Sequence, residues 1–101
     1  MQEVERWVRE AQGGNLSAFG QVYEQFFDKV YRYIAFRVGL PAEAEELAQE
    51  VFLRAMEALP TYKPKGKPFG AWLFRIAHNL VVDRYRRRAV AGPSLSLEAA
   101  T

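Results

Sequence analysis

The sequence predicts an all-α fold, a compact bundle of four helices joined by short loops. Three observations carry this. Apolar residues recur at every third or fourth position in four separate segments, the period of a helix face. Glycine or proline stands at each boundary between those segments. No stretch alternates apolar and polar residues as a half-buried strand does. With 101 residues, half of them apolar, the chain suits one small domain with a packed core.

The first helix is expected over residues 2–12, with Val4, Trp7, Val8 and Ala11 inward and Gly13-Gly14 ending it. Asn15 or Ser17 can cap the second, from Leu16 to Val38. Its stripe is Phe19, Val22, Tyr23, Phe26, Phe27, Val30, Tyr31, Ile34 and Val38, with Arg32, Tyr33 and Arg37 directed to the surface. Gly39 ends this helix, and Pro41 opens the third, which reaches Leu59. Ala44, Leu47, Ala48, Val51, Phe52, Ala55 and Leu59 are its inner stripe, and Glu43, Glu46, Gln49, Glu50 and Glu57 lie opposite, with Arg54 the only base among them. Pro60 stops it. Residues 61–67 form a loop, and the fourth helix is expected from Pro68 to Arg88, with Phe69, Leu73, Ile76, Ala77 and Leu80 inward. Periodicity fades after Ala89, so residues 1–90 make the domain and 91–101 a linker or tail.

No cysteine means no disulfide framework and no thiolate metal site, and a single histidine leaves little room for zinc or a histidine-based triad. The acidic cluster lacks the Asp/Asn/Gly loop of a calcium site, and no glycine-rich loop cradles a phosphate. No cofactor and no enzymatic activity are expected. No apolar run approaches a membrane span, and no signal-peptide pattern appears, so a cytoplasmic protein without membrane contact is expected.

The formal charge of +2 conceals a division. Residues 1–60 hold six Lys/Arg and ten Asp/Glu, net −4; residues 61–101 hold eight and two, net +6. Helix dipoles account for Glu43, Glu45 and Glu46 at a helix start and for Arg84, Arg86, Arg87 and Arg88 near a helix end. They leave Gln49, Glu50 and Glu57 unexplained, as well as Lys63, Lys65 and Lys67 in the loop. Beside those lysines stand Tyr62, Phe69 and Trp72. On the fourth helix Trp72, Arg75, Asn79 and Arg86 share the side opposite the core stripe. Cations interleaved with flat rings can hold a phosphate backbone and stack on bases. That combination favours an unpaired or extruded base over an intact duplex, whose base faces are hidden.

Two strings, AEAEELAQEVFLRAMEAL and FGAWLFRIAHNLVVDRYRRR, flank the basic loop. Together they resemble region 2 of bacterial RNA polymerase sigma factors, and most closely the extracytoplasmic-function (ECF, group IV) type. The resemblance spans about residues 15–88. It rests on an acidic-Leu-x-Gln-Glu-x-Phe motif, a Trp-Leu-x-Arg-Ile-Ala-x-Asn motif, and Asp83 followed by an arginine cluster.

The resemblance implies two partners. Glu46, Gln49, Glu50 and Arg54 would dock on the β′ clamp-helix coiled coil of RNA polymerase core, an acidic face meeting a basic one. Tyr62, Lys63, Lys65, Lys67, Phe69, Trp72, Arg75, Asn79, Asp83, Arg84 and Arg87 would hold the non-template strand of the −10 promoter element and capture a flipped base. Trp72 would be the wedge at the duplex edge. Transcription initiation is the implied process, with room for an anti-sigma factor as a third partner. There are departures: Trp72-Leu73 replaces the paired tryptophans of primary sigma factors, Glu46 stands where Asp is frequent, and His78 where a basic residue is frequent. The chain also ends before a second helical domain for a −35 element, and its last residues resemble the start of an interdomain linker, so it is expected to be a fragment. Two alternatives compete: a helical protein-interaction adaptor without DNA binding, and a regulator that reads a duplex groove.

Overall fold

Residues 2–100 are described by the structure, a computed structural model, with side-chain surroundings given for residues 3–89. In order the elements are α1 (Gln2–Gln12), α2 (Leu16–Val38), α3 (Pro41–Ala58), a 3-10 turn (Leu59–Thr61) and α4 (Phe69–Ala100). No strand occurs among the described residues. The all-α expectation therefore holds, and the first three helices begin where the sequence places them.

Local chemistry explains the boundaries. Asn15 Oδ1 accepts from the Ala18 N–H at 3.2 Å and starts α2. Gly39, at φ 80°, ends it and returns its N–H to the Ala35 carbonyl. Pro60 does not stop the chain's helical path at once; it sits inside the 3-10 turn, whose first positions need no backbone donor. Pro68 lies one residue ahead of α4, and its carbonyl accepts from Ala71 N–H at 3.1 Å.

α2 packs on both α1 and α3, and α4 closes the bundle against α2 and α3. Val30, Ile34, Ala44, Ala48, Val51, Ala55, Leu73 and Ala77 are wholly buried. Four of those eight are alanines on α3 and α4, and short side chains there let the helix axes approach closely. Gly70 serves the same end at the start of α4: a Cβ there would meet the Phe26 ring at 3.3 Å. The inner stripes are those expected, with adjustments. Ala18 and Val81 join the core, Tyr23 lies at its edge with one side open, and Trp7, Phe27, Tyr31, Val38 and Ile76 are half-buried.

α4 continues past the expected end at Arg88. It runs through Gly92-Pro93 to Ala100. The reading of residues 91–101 as a linker or tail lies outside the described side chains. No helix among the described residues is long and apolar enough to cross a membrane.

The core assignment is testable at one position. Leu73 is fully buried, so Leu73→Ala lowers unfolding free energy by about 2–5 kcal/mol. Leu16→Ala, at a residue 73% exposed, changes it by less than about 0.5 kcal/mol. Urea denaturation followed by circular dichroism reads both.

Candidate nucleic-acid and polymerase interfaces

The loop between the 3-10 turn and α4 is folded by its own backbone. Thr61 Oγ1 donates to the Ala58 carbonyl at 3.0 Å, and Tyr62 N–H to the Leu59 carbonyl at 3.0 Å. Lys67 N–H then reaches the Pro64 carbonyl at 3.0 Å. Between them Lys65 has φ 51° and Gly66 φ 76°. Two successive positive φ values make a type I′ turn. Glycine adopts this freely, but a lysine in the left-handed region costs about 1–2 kcal/mol. The tight turn folds the loop back toward α4.

As a result Lys63, Lys65 and Lys67 line one pocket of about 500 Å³ with Tyr62, Pro64, Trp72 and Arg75. Six predicted site residues from two separate elements therefore converge. The rings behind them form a cluster: Tyr62 stands edge-on to Phe69 at 5.5 Å and tilted on Trp72 at 4.7 Å, and Phe69 meets Trp72 at 5.4 Å. Tyr62 and Trp72 are half-buried and keep part of their rings at the pocket. Burial, with the charge of Glu5 adding, pushes the Tyr62 hydroxyl above its usual value, so it stays a neutral donor.

Phe69 takes the inward position that the helix period gives it, and not the DNA-facing one that the resemblance implies. It is 5% exposed and also packs edge-on against Phe26 at 5.7 Å. It supports Tyr62 and Trp72 from beneath and offers no face to a base, because the first inward position of α4 falls on it.

Asn79, Asp83 and Arg87 lie further along α4, in a second cleft of about 970 Å³ that also takes Arg54, Glu57 and Arg86. Ala58 lines both hollows, so they adjoin. The Trp72/Arg75/Asn79/Arg86 face is thus divided, two residues to each. In the second cleft Arg87 pairs with Asp83 at 2.8 Å and is partly neutralised, though both side chains are exposed.

Arg84 does not join the cationic track. It turns to α3, where it donates to Glu43 and, at 3.4 Å, to Glu46; Arg88 also donates to Glu43. The reason is rotational, since position 84 falls on the side of α4 that runs beside the start of α3. Glu43 is correspondingly not a solvated acid: its side chain is 8% exposed, and its Oε1 has no hydrogen-bond partner among the described residues. Burial pushes this carboxyl up, but hydrogen bonds from Arg84 and Arg88 and their charges outweigh it and hold it below its ordinary value.

The remaining acidic face is open. Glu46 and Gln49 are exposed, and Glu50 pairs with Arg54 at 3.0 Å. All four line a shallow cleft of about 450 Å³ with Leu53, which is 61% exposed. Leu53 and Met56 also border an apolar hollow over Phe19 and Phe52. Leu53 was missed by the sequence reading, although an apolar residue off the inner stripe was its signal. His78 is exposed and hydrogen-bonds the Tyr33 hydroxyl through Nδ1 at 3.2 Å, a tie between α4 and α2.

Comparison with known proteins follows the same segments. Residues 22–90 match the family described as Sigma-70 region 2. The ECF RNA polymerase sigma factor BldN of Streptomyces coelicolor is 51% identical over 79 residues, covering 78% of this chain and 30% of that protein. The ECF sigma factor SigW of Bacillus subtilis is 33% identical over 85 residues, covering 84% of this chain and 45% of its own. The chain spans less than half the length of both relatives. Among solved structures, BldN in its complex with RsbN superposes with a TM-score of 0.73 at 48% identity, over 82% of this chain and 60% of that one. An engineered region 2 of sigmaE in complex with GTAAAA gives a TM-score of 0.77 over 85% of this chain and 88% of that one; at 24% identity this likeness concerns the fold.

The ion cluster around Glu43 yields a pH signature. The folded-state pKa of Glu43 lies below its ordinary 4.5, so its stabilisation is complete above that value and is lost as pH falls through the lowered one. Glu43→Gln therefore costs about 1.5–3 kcal/mol at pH 7, and the gap from the unsubstituted protein narrows as pH is taken from 7 to below 4.5. Urea denaturation across that range measures the difference; a constant gap contradicts it.

Proposed function

We infer function from one premise: this chain belongs to the Sigma-70 region 2 family and is the region 2 domain of an ECF-type RNA polymerase sigma factor. We propose that it recognises and melts the −10 promoter element while attached to polymerase core. The supporting observation is the convergence of Tyr62, Lys63, Lys65, Lys67, Trp72 and Arg75 on a single pocket. Three lysines line a hollow shared with two half-buried rings. A nucleotide offers the complement, an anionic phosphate and a flat base.

In this reading a non-template base leaves the stack and enters the pocket, with Trp72 as the wedge at the duplex edge. Unstacking costs a few kcal/mol. Stacking on an aromatic ring contributes about 1–3 kcal/mol per base, so rings alone roughly balance the cost and phosphate contacts tip it. The strand continues toward the adjoining cleft, where Asn79 presents an amide and Arg86 and Arg87 supply charge. Asp83 restrains Arg87 there. Phe69 and Arg84 act indirectly, as ring support and as a tie to α3.

The polymerase side is the exposed face of Glu46, Gln49, Glu50 and Arg54. We extend it to Leu53, whose open side chain supplies the apolar centre that protein interfaces need. The docked element is the β′ coiled coil. The related BldN is seen bound to RsbN, and a regulatory protein partner of that kind is proposed here too.

Two measurements test this. Fluorescence anisotropy should show binding to single-stranded −10 DNA in preference to duplex, falling with salt. Lys63→Glu, Lys65→Glu and Lys67→Glu together abolish it even at low salt. The three Gln replacements instead flatten the log–log salt slope by about 2, three phosphates at roughly 0.7 each. Separately, Leu53→Ala and Glu50→Ala weaken binding to a β′ coiled-coil fragment by about tenfold or less each; unchanged affinity removes that face from the assignment.

A further inference from the structure

We propose that Gln12, the last residue of α1, is a positioning residue for the strand-binding pocket and acts through Tyr62. The inference rests on the function proposed above. Its side-chain amide nitrogen donates to the Leu59 carbonyl at 3.1 Å and to the Tyr62 carbonyl at 2.9 Å. A primary amide has two N–H donors, so each serves one end of the 3-10 turn. Tyr62 is then held at both levels: its main chain by Leu59 and Gln12, its ring by Phe69 and Trp72.

The helix that carries Gln12 is a firm mount. Val4 and Val8 are buried in the core, and Gln12 continues their spacing of four, so it lies on the same inward stripe. That stripe meets α2 for most of its length; at its last turn it meets the 3-10 turn. There an apolar side chain would leave the two carbonyls without these donors, whereas glutamine supplies them. Glu5 of the same helix lies close enough to Tyr62 to help raise its pKa, which independently places α1 beside that residue.

α1 lies wholly outside residues 22–90, the segment that matches the family. The pocket residues all lie inside it. Pocket geometry is therefore set in part by a helix outside the matched segment. Base capture needs the Tyr62 ring at a fixed height beside Trp72, while phosphate attraction to the lysines tolerates small shifts. Loss of the Gln12 amide should accordingly erode discrimination between strands more than general affinity.

The experiment selects a preferred single strand from a randomised DNA pool with the unsubstituted 101-residue chain, then compares affinity for that strand and a scrambled one. Gln12→Met keeps length and removes both donors; Gln12→Glu keeps shape and replaces them with an acceptor; Gln12→Lys restores donors. The expected result is a roughly tenfold fall in the preferred-to-scrambled ratio for the Met and Glu variants, the effect of about two weak hydrogen bonds. Affinity for the scrambled strand stays within about twofold for Gln12→Met, the Tyr62 and Lys63 amides exchange faster, and Gln12→Lys retains the ratio. The proposal is overturned if folded Gln12→Met or Gln12→Glu keeps the ratio, if Gln12→Lys loses as much as Gln12→Met, or if both donor-free variants fail to fold, which makes the contact a brace for the fold alone. If the unsubstituted chain shows no preference for any strand, the function proposed above falls as well; a preference kept by folded Gln12→Met sinks only the role of Gln12.

Discussion

The burial of one stripe of α4 governs the rest of this molecule. Phe69, Leu73, Ala77, Leu80 and Val81 are all sequestered against α2 and α3. A helix has only one rotation about its axis, so placing those five inward leaves Trp72, Arg75, Asn79 and Arg86 along the open sides. The close approach at Gly70 sharpens this, since the Phe26 ring occupies the space a side chain would need. Packing energy, collected deep in the bundle, therefore orients polar groups that make no packing contribution themselves. The pocket is a consequence of the core.

The same rotation explains how two oppositely charged faces share one small domain. α3 turns its alanine-rich stripe inward and its carboxylates outward, and the later turns of α4 run beside its start. Left unpaired, the arginines of α4 and the acids of α3 would attract across the surface without register. Glu43 converts that attraction into a defined joint by accepting from Arg84 and Arg88 in a nearly dry position. The two guanidiniums outweigh the desolvation of the carboxylate, so the ionised joint is favoured on balance. Its consequence is geometric: the helix proposed to meet polymerase and the helix proposed to meet DNA cannot slide independently. Glu46, bonded to Arg84 at 3.4 Å yet 70% exposed, stands at that junction.

Much of this was legible in the residues. Three-and-four periodicity located the helices and most of the core, because burial and helix period are local properties of the chain. Interleaving of Lys63, Lys65 and Lys67 with aromatic residues marked the pocket. Periodicity does separate Phe69, on the inner stripe, from Trp72, on the other side; the packing of α4 adds that Trp72 is only half-open. What periodicity cannot supply is rotation between helices. Arg84 and Arg87 look alike in sequence, yet one turns to α3 and the other to the cleft. Gln12 left no trace at all, since a glutamine at the end of a helix has the same local appearance whether or not carbonyls wait 47 and 50 residues away. The end of α4 was placed where periodicity fades, after Ala89; periodicity marks a buried face rather than the helix itself, which runs on to Ala100.

Energetics also indicate why the proposed function needs both faces on one body. A base drawn from the stack gains about as much from aromatic contact as it forfeits by unstacking, a few kcal/mol on either side. The residue is left to three or four phosphate contacts, which salt weakens. A small domain working alone with that margin would hold a strand loosely. Fixing it to polymerase changes the terms: the strand is then met at the effective concentration of a tethered partner, which raises occupancy without any new contact. The left-handed lysine at position 65 fits this economy. Its strained turn folds the loop so that Lys63, Lys65 and Lys67 line one hollow. A pocket of modest intrinsic affinity then discriminates promoters better than a sticky one, since it retains a strand only where melting is also cheap.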